Sequence, residues 1–385
     1  MITNRLLSQI LFLYCNIFKS QIKETTNKSI LFLATFSKYG GTRTYMEVLL
    51  DLLQEYEYQI YFIQNEDNIN SNALTLIRKK NIIPIEFNYT FKTWFTILFS
   101  IYFFNKIIKK YNINTTIITE GDVGYYLPCI LLKTQNVLIE HTIPMSSLDY
   151  LRNKIVSKIK SNTKLICVSE YQKNKTIENW GKNLKDYCSV IYNSSGFNSS
   201  LVFKKKMAFF SIRKIITVAH FIDYKNPDMW LSIANKLTQK RSGLEFRWIG
   251  DGEKLPFYQD KLKENNAIKL LGYCDKEQIK TEYENAFLYL ALSKIENLPI
   301  SVIDALYAGL PAVVLNTGGL PEVVDSGKCG FVVNNEEEAI ERIEILLNDQ
   351  GLYLDMCKYS VERYNALFSK SMWKKNIVNI LPHPQ

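Results

Sequence analysis

FLYLALSKIENLPISVIDALYAGLPAVVLNTGGLPEVVDSGKCGFVV, from Phe287 to Val333, is the stretch whose reading decides the fold of this chain. Phe287–Leu292 is a short apolar and aromatic run, the pattern of a strand buried on both faces. Pro299 can open a helix because the first helical N–H has no partner to lose, and Gly309 with Pro311 is a stop signal. Ile300–Ala308 is therefore predicted to form about two and a half helical turns, with its unbonded N–H groups turned toward the loop acid Glu296. Anions collect at such helix starts. Pro311–Leu315 is predicted to be a second buried strand, and Gly318-Gly319 permits a close backbone approach to a ligand that a Cβ would block.

The strand–helix alternation continues outward. Lys214–Val218, Glu245–Ile249 and Ile268–Leu271 are predicted strands, and Glu336–Glu338 opens a helix whose dipole suits negative charge. Toward the amino terminus, Ser29–Phe36 is the first convincing strand and Tyr45–Leu53 has helical apolar spacing. Tyr58–Ile63, Thr115–Thr119, Asn136–Ile139 and Lys164–Val168 extend the series. This alternation specifies an α/β fold of doubly wound parallel sheets, with ligands at strand carboxyl ends. Asn193–Ser211, with its Ser-Ser pairs and Lys204–Lys206, reads as a linker. The length of 385 residues fits two domains at about 100–200 residues each. The expected division is residues 1–200, with a tail 366–385 carrying a helix at about Ser369–Ile380, and residues 201–365.

With 47% hydrophobic and 22% charged residues the composition is that of an ordinary globular chain. The seven cysteines, Cys15, Cys129, Cys167, Cys188, Cys274, Cys329 and Cys357, are odd in number and scattered. There is no C-x-x-C pair and no His/Cys cluster, so neither a disulfide framework nor a zinc site is expected and a reducing cytosol fits. Residues 1–200 carry 23 Lys and Arg against 15 Asp and Glu, whereas residues 201–385 carry 24 against 23. A basic amino-terminal half suits an anionic partner or an anionic membrane surface, or is a solvated set of lysines. Leu6–Phe18 is too short and too polar to span a bilayer and lacks a small-x-small cleavage site. Trp94–Phe104, WFTILFSIYFF, is followed by Lys106, Lys109 and Lys110. It is either a core helix or a helix whose outer face dips into lipid, and Arg152, Lys154, Lys158 and Lys160 could extend the same basic face.

The central stretch resembles the donor-site signature of family 4 glycosyltransferases, in which two acids flank seven residues and Gly-Gly-x-x-Glu follows. Here these are Glu296, Asp304, Gly318, Gly319 and Glu322, with Leu298 and Pro299 between the acids. Other matches run along nearly the whole chain: Gly40-Gly41 with Arg43, His141, Ser169, Ile191–Asn193, Lys225 and Gly250–Gly252. The resemblance implies two Rossmann-like domains facing across a cleft, the GT-B architecture. The amino-terminal domain would take the acceptor and the carboxyl-terminal one a nucleotide sugar, with the last helix crossing back. Two positions depart from the family pattern. Asp304 stands where Glu is usual, and His220 stands where an Arg usually precedes the phosphate-binding Lys. A histidine is positive only when protonated, so a diphosphate would meet one full charge and one conditional one.

On this resemblance the chain is expected to be a retaining glycosyltransferase that moves a hexose-type unit to a glycan or lipid-linked acceptor in bacterial envelope polysaccharide synthesis. Glu296 and His141 would act at the reacting centre. Lys225, His220, Asp304, Gly318, Gly319, Glu322, Leu298 and Pro299 would hold the donor, with Asp304 on the ribose, and Gly40, Gly41 and Arg43 would form an acceptor or phosphate loop. No Asp-x-Asp occurs, so neither metal nor cofactor is expected, and no nucleic acid partner is. The expected location is the cytoplasm or the inner face of the cell membrane. Each residue also has a plain reading: Glu296 as a capping acid, Asp304 as a surface acid, the histidines as structural, Gly40-Gly41 as a turn. Two further functions compete, a catalytically silent nucleotide-sugar-binding scaffold and a sugar-nucleotide epimerase of the same fold. A dinucleotide oxidoreductase is disfavoured because no Gly-x-Gly-x-x-Gly follows a predicted strand.

Overall fold

The computed structural model describes residues 28–34, 41–64, 82–87, 94–119, 134–142, 162–197, 212–262 and 265–381. Gly40, the Leu6–Phe18 segment and the basic residues between Arg152 and Lys160 lie outside these. The chain divides into two units, residues 1–191 with 374–385 and residues 192–373.

The first unit is built on seven parallel strands: β1 (Ser29–Ala34), β2 (Gln59–Gln64), β3 (Ile83–Glu86), β4 (Thr115–Thr119), β5 (Gln135–Glu140), β6 (Thr163–Cys167) and β7 (Cys188–Val190). Their order is β3-β2-β1-β4-β5-β6-β7. β1 and β4 are buried throughout, which is why they read as unbroken apolar or β-branched runs rather than alternating ones. The other sheet orders β10-β9-β8-β11-β12-β13, again all parallel. Its strands are β8 (Arg213–Val218), β9 (Leu244–Ile249), β10 (Ile268–Gly272), β11 (Leu288–Ala291), β12 (Ala312–Leu315) and β13 (Gly330–Val333). In both sheets the winding reverses beside the first strand, between β1 and β4 and between β8 and β11. Such a reversal leaves the loops at the strand carboxyl ends splayed apart, the usual seat of a ligand in doubly wound sheets.

Three strands add to the sequence expectation. β3 carries Pro84 and is mostly exposed at the sheet edge, β7 is three residues long, and β13 begins on a glycine, Gly330; none has a hydrophobic period to read. The division between units falls at Ile191/Tyr192 rather than near residue 200. Asn193 Nδ2 donates to the Leu298 carbonyl at 3.1 Å and Ser195 Oγ to Asp304 at 2.6 Å, so the start of the expected linker is packed into the second unit. The last helix, Lys370–Val378, straddles the second division at Trp373/Lys374.

The aromatic helix spans Trp94–Lys110. Ile101, Phe104, Ile107 and Ile108 are buried, and Phe104 and Phe103 pack on Phe87. Tyr102, Lys106, Lys109 and Lys110 are exposed along the opposite stripe. This amphipathic division makes the helix a core element of the first unit, and no described helix is long and apolar enough to cross a membrane. Phe104→Ala should lower unfolding free energy by about 3–5 kcal/mol, while Lys106→Ala should change it by under about 0.5 kcal/mol. Urea denaturation of the two variants measures both.

Candidate functional site

In the second unit the loops that leave β8, β9, β11 and β12 at their carboxyl ends are laced together through the backbone. The loop after β8 is anchored by Phe221, fully buried with its ring edge-on to Trp248 at 4.9 Å. Phe221 N donates to Asp251 O at 3.0 Å, and Ile222 N to His220 O at 3.0 Å. The chain then makes a single 3-10 turn, Asp223–Lys225, and Asn226 at φ 61° passes it into the helix Pro227–Lys240. The Gly-Asp-Gly after β9 lies directly on this loop. A Cβ on Gly250 would sit 2.0 Å from the Ala219 carbonyl oxygen, and one on Gly252 2.2 Å from that of Phe221.

The loop after β11 docks on the other side. Lys294 N donates to Tyr224 O at 2.8 Å, and Thr317 Oγ1 to Ser293 O at 2.5 Å. Gly318, at φ 56°, would place a Cβ 1.8 Å from the Glu296 carbonyl oxygen, and Gly319 N donates to that same oxygen at 3.0 Å. The Gly-Gly turn thus makes room for the Glu296 peptide, and the Gly319 N–H is bonded to it.

These loops bring Lys225 and Glu296 together at the reversal between β8 and β11. Nζ lies 2.6 Å from Oε2, with the side chains only 15% and 13% exposed. The ammonium also lies over the Tyr224 ring, 5.1 Å from its centre. His220 is on the same loop, exposed. Pro299 caps the helix Ile300–Tyr307, its carbonyl accepting from Val302 and Ile303, and buried Leu298 holds Asn193 through its own carbonyl. Glu322 lies in the turn Leu320–Val323, which Arg363 secures by donating to the Glu322 and Val323 carbonyls.

Asp304 differs from its surface-acid reading. It is 8% exposed, and one carboxylate oxygen accepts from Ser195 Oγ at 2.6 Å and Gly196 N at 2.9 Å. Burial pushes its pKa up to about 6, the two hydrogen bonds pulling the other way. Ser195 and Gly196 were not anticipated as partners, because nothing in a linker-like Ser-Ser-Gly run signals an acid more than a hundred residues away.

In the first unit, His141 follows β5, and the neighbouring Thr142 carbonyl is held by Gln172 Nε2 at 2.9 Å. The imidazole meets the Tyr45 ring edge-on with centroids 4.4 Å apart, and desolvation holds its pKa down at about 4. It is therefore neutral at pH 7. Gly41 starts the helix Gly41–Glu55, on which Arg43 pairs with Glu47 one turn on, at 2.9 Å. Ser169 caps the helix Glu170–Trp180 by accepting from Gln172 N. All of these residues lie in the first unit.

Two parallel doubly wound sheets, with a lysine–glutamate pair seated at the winding reversal of the second, define the class of GT-B-type α/β proteins. Residues 203–363 match the family model described as glycosyl transferases group 1. The chain is 24% identical over 357 residues to the O-antigen biosynthesis glycosyltransferase WbnH of Escherichia coli, covering 89% of this chain and 98% of that one. Among solved structures, a glycosyltransferase from Rickettsia africae superposes with a TM-score of 0.77 at 19% identity, over 92% of this chain and 98% of that one. Anabaena HepE in complex with UDP gives 0.72 at 16% identity, over 92% and 99%. At these identities the structural likenesses show the shared fold.

Gly318→Ala must move the Glu296 peptide and adopt a strained φ, so thermal denaturation should show a loss of more than about 3 kcal/mol. For Asp304, a folded pKa raised above the unfolded value means that the folded state binds the proton more tightly. Its contribution is therefore favourable below about pH 4 and is lost as pH rises through about 6, a swing on the order of 3 kcal/mol. Asp304→Asn keeps an acceptor for Ser195 and Gly196 and should raise Tm at pH 7.5 but not at pH 4, read from melts at the two pH values.

Proposed function

We propose that this chain is a group 1 glycosyltransferase that moves a hexose-type unit from a nucleotide-diphosphate sugar to a glycan or lipid-linked acceptor, with the anomeric configuration retained and without a metal, in bacterial envelope polysaccharide synthesis. The observation that carries the reading is the Lys225–Glu296 pair at the β8/β11 reversal, where a doubly wound sheet receives phosphorylated ligands. The UDP complex of HepE and the O-antigen role of WbnH support the donor class and the pathway class. The difficult step is departure of a nucleoside diphosphate whose negative charge grows in the transition state. A fixed ammonium on a rigid 3-10 turn and the first N–H groups of Ile300–Tyr307 supply positive potential in advance, without reorganisation. His220 adds charge when protonated. Glu296, held by its own backbone against Gly318, would orient the sugar hydroxyls. The exposed Lys106, Lys109 and Lys110 are the described part of a basic face suited to an anionic acceptor or membrane surface.

A second reading, a catalytically silent nucleotide-sugar binder, is favoured by the engagement of Asp304 with Ser195 and Gly196 in place of a free ribose contact. Thermal shifts with uridine, guanosine and adenosine diphosphate sugars should show stabilisation by one nucleotide class, abolished in Lys225→Ala. Turnover with acceptor should fall at least about 100-fold in Glu296→Gln. Binding without turnover in the wild type supports the silent binder, and unchanged turnover in Glu296→Gln refutes the role given to this acid.

A further inference from the structure

The Lys225–Glu296 contact is a direct ion pair, 2.6 Å between two mostly buried side chains. Both partners are fixed from behind. Lys225 sits on the turn held by Ile222 and by Asn226 at φ 61°, and Glu296 has its carbonyl oxygen pinned by Gly319 N. The carboxylate therefore occupies the ammonium that a diphosphate would use. We infer that Glu296 is the resting counter-ion of Lys225: an incoming diphosphate displaces the carboxylate from the ammonium, and only then is the carboxylate free for the sugar. This rests on the reading of the site as a donor pocket.

The physical reason is the cost of a partly buried ammonium without an anion beside it. The empty site meets that requirement internally, so a diphosphate gains only the difference between its own attraction and that of the carboxylate. A carboxylate that served only to bind sugar hydroxyls would repel a nucleoside diphosphate to the same degree with or without Lys225. A counter-ion acts through Lys225. The arrangement also ties the two halves of the donor together. A free sugar finds the acid neutralised, whereas a sugar arriving with its diphosphate finds it released.

The test is calorimetric titration of the full chain with the diphosphates of uridine, guanosine and adenosine. The proteins compared are wild type, Glu296→Gln, Glu296→Ala, Lys225→Met and the double variant Lys225→Met/Glu296→Gln. The preferred diphosphate should bind both Glu296 variants at least about tenfold tighter than wild type. That gain should vanish in the Lys225→Met background, and the Tm of unliganded Glu296→Gln should fall while its near-ultraviolet circular dichroism is kept. Equal or weaker binding to the folded Glu296 variants, or the same gain without Lys225, overturns the counter-ion role and leaves the donor-pocket reading standing. If no diphosphate binds wild type or either Glu296 variant, the donor-pocket reading fails and the counter-ion role with it.

Discussion

The second unit depends on one close approach, the Glu296 carbonyl oxygen resting where Gly318 has no Cβ. With the Gly319 N–H bonded to that oxygen, the loop after β11 is locked to the loop after β12. Lys294 N and Tyr224 O then lock it to the loop after β8, and the Gly250 and Gly252 contacts lock the loop after β9 to the same place. Loops from four strands become one rigid rim. A salt bridge alone could not impose this, because two flexible side chains lose conformational freedom in meeting. The backbone frame comes first, and the ion pair forms in the space it leaves.

Such a frame matters for the proposed departure of a nucleoside diphosphate because electrostatic stabilisation is effective when the dipoles and charges are already in place. Lys225 gains this from its position on a turn between two fixed points, not from unusual chemistry of its own. The hydrophobic support is direct: Phe221, Trp230, Phe246 and Trp248 form an edge-to-face cluster beneath the loops, and such pairs contribute beyond their buried area. Core, loop and charge are therefore links in one chain of cause.

Much of this was legible in the sequence. The buried runs Phe287–Leu292 and Pro311–Leu315, the Pro299 start and the Gly309 stop gave strand, helix and strand within a residue or two of what the structure has. The family resemblance singled out Lys225 and Glu296, which the structure joins. What escaped was non-local. β3, β7 and β13 are too short to show a period. Asp304 belongs with Ser195 and Gly196, at a sequence separation of 109 and 108 residues, and no pattern within one segment encodes such a pairing. Gly318 was read as permitting a close approach and Gly250–Gly252 only as a family match, but what all three glycines make room for is protein backbone, which only the folded arrangement reveals.

The same rim has positions where any added side chain is forbidden and positions where the backbone frame does not fix the side chain. At 250, 252 and 318 even a methyl group collides with a carbonyl, whereas His220, Tyr224 and Ile295 project outward from the neighbouring loops after β8 and β11. Descendants of this chain can therefore diverge in what they recognise by exchanging those outward side chains, with no alteration to the scaffold underneath. Heritable variety and mechanical constancy are assigned to different residues of one four-loop rim.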